Sequence, residues 1–162
     1  MGKHTLEIEY DYDFLLIGIA SHEKDYRIAW AINKALGLSL TKQNSLEIKG
    51  KKQTTPSFFS FFLYENEDAF KEYAVVANLS ESKVGEKQAQ TLFSDSPTGK
   101  SNNENEYLIP EQKLMNYFFM VRGEVESTEG EEVIKKLKEM EPVQTVVRID
   151  AKSLKSKQNL VF

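Results

Sequence analysis

The sequence predicts an α+β fold with a predominantly antiparallel sheet and two helices on one face. Three observations carry this. Strand patterns and helix patterns alternate as strand, helix, strand near both ends of the chain, two-sided aromatic strands fill the middle, and no stretch is long and apolar enough for a buried all-helical or membrane architecture. At 162 residues, with 40% apolar, 28% charged and 11% aromatic residues, the chain predicts a single domain, 1–162, able to bury about 70% of its unfolded surface.

Leu6, Ile8 and Tyr10 alternate with charged residues as an outer strand does, and 14–20 (FLLIGIA) reads as a buried strand after a turn at Asp11 to Asp13. Ser21 is placed as the N-cap of a helix from His22 to Leu36, with Gly37 as its left-handed terminator. On that helix Tyr26, Ala29, Trp30, Asn33 and Leu36 share one face, expected to be the inner one, with Ile28 and Ile32 beside it. Residues 38–41 and 46–48 read as short strands. Then 57–64 (SFFSFFLY) gives the strongest strand signal, with 73–79 as its hairpin partner.

From Ser94 to Glu106 thirteen residues pass without an apolar side chain, which predicts a mobile polar loop within the domain. Residues 117–121 form a second two-sided aromatic strand. Thr128 and Glu131 fit a capping box opening a helix on which Val133, Ile134, Leu137 and Met140 line one face. Pro142 ends it, and 143–149 (VQTVVRI) is the returning strand. The more specific expectation is a ferredoxin-like split β-α-β core carrying an inserted aromatic hairpin.

The chain has no cysteine, which excludes disulfides, thiolate metal sites and thiol nucleophiles. Its start, with no apolar run before Phe14, carries neither a leader nor a membrane-span pattern, so the expected location is the cytoplasm. His4 and His22 lie on different elements without matching acidic ligands, so neither a metal nor a cofactor is expected. The triplet Gly99-Lys100-Ser101 lacks the leading glycine, preceding strand and following helix of a phosphate loop. No serine sits in a nucleophile elbow.

Aromatic and basic residues carry the remaining signals. A sheet covered by helices on one face should alternate apolar with polar residues, yet Phe58, Phe62 and Tyr64 oppose Phe59 and Phe61, and Phe118 and Met120 oppose Tyr117 and Phe119. Both faces therefore need cover, supplied by the chain's own loops and tail, by a protein partner or second copy, or by stacked RNA bases. The first expectation for function is a non-enzymatic interaction module, a homodimer or adaptor, binding through Phe58, Phe62, Tyr64, Phe118 and Met120. An RNA- or ribosome-associated accessory protein would instead use Lys49, Lys51, Lys52, Arg148, Lys152, Lys155 and Lys157. An enzyme or small-molecule binder would place a pocket between the first helix and the sheet, using Asp13, Tyr26, Trp30 and Asn33.

Residues 107–111 (YLIPE), followed by 116–119 (NYFF), resemble the IPExxDY family of uncharacterised bacterial proteins, and 12–19, 25–27, 31–37 and 154–160 are similar to it as well. Asn116 stands where the family motif has an aspartate, and an amide cannot act as acid or base. The resemblance implies one intact cytoplasmic domain and assigns no activity and no catalytic residue. The residues themselves give Pro110 the role of helix starter or turn and Glu111 that of a first-turn carboxylate.

Overall fold

The computed structural model describes residues 11–50, 55–81 and 106–162. The strand expected at Leu6 to Tyr10, Lys51, Lys52, and the polar stretch from Ser94 up to 105 lie outside them.

Among the described residues, eight strands and two α-helices follow in the order β1 (Leu15–Ala20), α1 (Asp25–Leu36), β2 (Thr41–Lys42), β3 (Leu46–Ile48), β4 (Ser57–Phe59), β5 (Phe61–Asn66), β6 (Lys71–Ala77), β7 (Tyr117–Arg122), α2 (Ser127–Lys138) and β8 (Thr145–Ile149). Six of the strands make one antiparallel sheet in the order β2-β5-β6-β7-β1-β8, and β3 pairs with β4 apart from it. Within β6-β7-β1-β8 the unit β1-α1-β6 has β7 between its strands, and the unit β7-α2-β8 has β1 between its strands. Two interleaved β-α-β units of this kind are the expected split core, extended at one edge by β5 and β2.

Both helices pack on one face. There Leu15, Ile17, Ile19, Phe62, Val75, Phe119 and Val121 of the strands form one core with Ile28, Ala29 and Ile32 of α1, and Leu137 of α2 and Met140 just beyond it complete the layer. The opposite face, formed by Leu16, Phe61, Ala74, Val76, Phe118 and Met120, is covered by Leu108, Ile109, Met115, Ala151, Leu154 and Leu160. The chain's own loops and tail thus supply the cover that the aromatic strands demand.

Several local expectations are corrected. The strand expected over 57–64 is broken at the buried Ser60: β4 pairs with β3 apart from the main sheet, and β5 continues within it between β2 and β6. The strand expected over 38–41 shrinks to Thr41–Lys42, because the Asn33 side chain takes both backbone groups of Leu40, accepting from its N–H at 2.8 Å and donating to its carbonyl at 3.2 Å. Helix α1 starts at Asp25 and not at His22. Ser21 accepts from the Glu23 amide at 3.1 Å and donates to the Pro142 carbonyl, so it ties the start of α1 to the segment after α2 without capping the helix. Gly37 ends α1 as expected, at φ 66°, with the Leu38 amide reaching back to the Asn33 carbonyl at 3.1 Å. No capping box forms on α2: the helix starts at Ser127 and Glu126 precedes it without a side-chain cap.

Candidate functional site

The face of α1 that meets the sheet is built by Ile28, Ala29 and Ile32. Tyr26 and Trp30, expected on the inner face, point outward and are 58% and 63% exposed. The apolar set on this helix is wider than one face can bury. The compact isoleucines fit against the sheet, and the two large rings are left outside.

Trp30 lines an open groove of about 830 Å³ between α1 and the C-terminal end of α2. Ala31, Ala35, Met140 and Pro142 give it an apolar floor, and Arg27, Lys34 and Lys136 face Glu23, Glu139 and Glu141 around its rim. Arg27 Nε lies 3.4 Å from Glu23 Oε2, and Lys34 Nζ sits 5.2 Å from the centre of the Trp30 ring. A groove with an indole at its edge, apolar small residues below and both signs of charge around it is suited to a peptide or helix of mixed charge.

The expected pocket between the first helix and the sheet does not form around its four residues. Asn33 is occupied by the Leu40 backbone, and Tyr26 and Trp30 face away. Asp13 lies at the surface, 2.6 Å from Lys152. The hydrogen bond from Lys152 holds Asp13 below its ordinary value, whereas the hydrogen bond that Asp11 shares with Asp13 raises Asp11.

At the start of α1 a polar cluster joins three elements. Ser60 donates to Asp25, and Lys42 donates to Ser60 and to Asp25 Oδ2, the latter at 2.9 Å. Burial works to raise the Asp25 carboxyl, but the bonds from Ser60, Lys42 and the Tyr26 amide outweigh it, and Asp25 titrates below its ordinary value. Nearby, Tyr117 donates to the Glu23 carbonyl at 2.6 Å, and its burial, with the charges of Asp25 and Glu23, pushes the phenol up to about 12. Here Lys42 is the ion-pair partner of Asp25 and not a base for Ser60. The cluster fixes β2 and β5 to the start of α1, and it is what the break at Ser60 provides.

The aromatic residues expected to bind a partner are not one surface. Phe62 is buried and Tyr64 half-buried on the helix face, while Phe118 and Met120 are buried on the other face among Met115 and the tail. Phe58 alone of the five is open to solvent. Strand alternation explains the split: the pairing of Phe62 with Val75 and of Val75 with Phe119 puts Phe62 on the side of Phe119, opposite Phe118.

The basic residues are dispersed too. Arg148 reaches over Gly130 of α2, Lys152 is paired with Asp13, and Lys157 sits 5.1 Å from the centre of the Tyr12 ring. Lys49 and Lys155 are exposed, Lys49 just after β3 and Lys155 in the tail. Among the described residues no group of three or more metal-ligating side chains converges, and no helix is long and apolar enough to cross a membrane.

The motif residues 109–116 act on the backbone. The buried Asn78 accepts from the Ile109 amide at 2.8 Å and donates to the Gln112 and Met115 carbonyls, both at 2.9 Å. Pro110 opens a 3-10 turn over Pro110–Gln112. Glu111 accepts from the Ser156 amide at 2.7 Å and its hydroxyl at 3.0 Å. Asn116 accepts from the Ser21 amide at 2.8 Å, a task an amide oxygen performs as well as a carboxylate. Asn78 fell inside the strand expected over 73–79, and strand alternation gives no sign that its side chain would hold the backbone of 109–115.

No family profile, curated protein or solved structure matches the chain.

Proposed function

We propose that the chain is a non-enzymatic protein-interaction module whose docking surface is the outer face of α1 and the groove beside it, and that it belongs with the IPExxDY proteins it resembles. The occupant is a helix of mixed charge. One observation carries the reading: Trp30, the single tryptophan of the sequence, stands 63% exposed at the edge of a groove with an apolar floor and a rim of both signs. Large exposed aromatic residues beside small apolar ones are the anchors around which interfaces concentrate their binding energy. The surface first expected to do this, the aromatic sheet, is already covered by the helices on one face and by the loops and tail on the other.

A photo-reactive phenylalanine analogue placed at Tyr26 tests this in cells, with the same analogue at the exposed Phe70 in the turn between β5 and β6 as the reference. A discrete protein adduct from position 26 and none from position 70 is the expected result. No adduct, or the same adducts from both positions, overturns the reading.

A further inference from the structure

We infer that the helix received by this surface is α1 of a second copy of the chain, packed antiparallel about a two-fold axis that crosses α1 between Ile28 and Ala29. The inference rests on the docking surface proposed above and adds the identity and register of the occupant.

The argument is the order of charges along the outward stripe. At helical spacing Arg27, Trp30 and Lys34 follow one another away from the buried Ile28 and Ile32, and Glu23 precedes them beside Arg27. Glu23 lies just ahead of the helix and stays on the stripe through its contact with Arg27. A two-fold between Ile28 and Ala29 reverses this order, setting Glu23 opposite Lys34 of the second copy and Arg27 opposite its Trp30. An acid meets an amine and a guanidinium meets an indole face, each twice by symmetry. A parallel arrangement would set like against like. The same pairing brings Tyr26 alongside Trp30 of the second copy, so both exposed rings of α1 lose water together.

The groove contributes in the same sense. Beyond α1 it is lined by Lys136, Glu139 and Glu141, so this wall also carries both signs of charge. A rim of three basic and three acidic residues has no net charge to recruit a strongly acidic or basic partner, and it suits its own copy.

Sedimentation of the full chain from low to high micromolar concentration, with Trp30 emission followed in the same samples, tests the register by charge exchange. The wild type should move from monomer to dimer while the emission shifts to the blue. Glu23→Lys places two lysines opposite each other, and Lys34→Glu places two glutamates opposite each other. Each alone should weaken association by about tenfold or more. An equimolar mixture of the two variants should recover it as a heterodimer, because the lysine introduced at position 23 of one chain then faces the glutamate introduced at position 34 of the other. Recovery also shows that both variants are folded. A wild type that stays monomeric, single variants that associate like the wild type, or a mixture no better than its components overturns the inference. A monomeric wild type that still gives a cross-link from position 26 to a protein of another mass overturns self-association alone and leaves the interaction reading standing. Absence of that cross-link as well removes both.

Discussion

The two faces of the sheet are both buried, but they are closed by different chemistry. On the helix face α1 and α2 bring backbones whose hydrogen bonds are already made, so side chains such as Ile28, Ile32 and Leu137 need only fit against the strands. On the other face the cover is irregular: residues 106–116, short 3-10 turns at Pro110–Gln112, Ala151–Ser153 and Lys157–Leu160, and the chain between them. Short turns and one bridge, Leu79 to Tyr107, pair part of the backbone there, and side chains take several of the groups that remain. Asn78 takes three, Asn159 donates to the Leu108 carbonyl at 2.8 Å, and Glu111 takes the Ser156 amide. Arg122 donates to the Leu160 and Phe162 carbonyls at 3.0 Å each while paired with Glu72. Both faces are apolar inside, but the irregular cover of the tail face depends on these long-range polar ties for its backbone, and the two should fail in different ways.

The largest difference is expected at Asn78. Replacing it with Ala leaves the Ile109 amide and the Met115 carbonyl without their buried partner, while the Gln112 carbonyl keeps the Met115 amide, at a cost of about 2–4 kcal/mol. The loss should be selective. Amide exchange should accelerate first over 106–116 and in the tail, with α1 and α2 following only at global unfolding. Ile32→Ala, a cavity on the helix face, costs a comparable amount, about 2–5 kcal/mol, yet should lower protection across the sheet together. Uniform acceleration in the Asn78 variant, or local release in the Ile32 variant, breaks the comparison.

Much of the helix face was legible in the sequence, and the tail face much less. Continuous apolar runs marked β1 and β7, Gly37 marked the end of α1, and the two-sided aromatic strands showed that both faces needed cover. Periodicity could not say which apolar residues of α1 turn inward, since Tyr26, Ile28, Trp30 and Ile32 all qualify and only packing against the sheet chooses. Nor could it find the break at Ser60, whose hydroxyl bonds to Asp25, 35 residues away. The polar ties of the tail face share this character. Each joins residues distant in sequence, and a lone Asn or Glu carries no periodic signal. For the proposed docking surface, Tyr26 and Trp30 stood out as residues of interest, but on the wrong side of their helix.

A smaller effect is expected where the two faces meet through β1. Gly18 lies opposite Phe118 and Val147 in the sheet, and a methyl group built on it would come within 2.7 Å of Met115 Cγ and 2.9 Å of Ile149 Cδ1. Gly18→Ala therefore pushes on the tail-face cover and not on the helices. The cost should be about 1–3 kcal/mol, softened because Met115 is flexible. Chemical denaturation gives the size, and the double variant with Met115→Ala gives the cause: if Met115 is what the methyl group meets, truncating it should remove most of the Gly18→Ala penalty. A penalty unchanged in the Met115→Ala background would place the strain elsewhere.

The smallest effect is the most specific to the tail face, because it depends on pH. Burial pushes the Glu111 carboxyl up, but the Ser156 amide and hydroxyl outweigh that, and the folded protein holds it below its ordinary value of 4.5. A carboxyl held low when folded contributes stability that is fully present above the unfolded value and is lost as pH falls through the folded one. Glu111 is exposed, so solvent screening keeps the contribution to about 1 kcal/mol or less. Glu111→Gln keeps an oxygen that can accept from Ser156 but removes the charge. The gap in denaturation midpoint between wild type and Glu111→Gln should therefore be constant near neutral pH and close below 4.5, with the wild type falling toward the variant. Were the gap unchanged through the acid range, the Ser156 bond would owe nothing to the carboxylate charge, and the tail would be held by shape in the manner of the helix face.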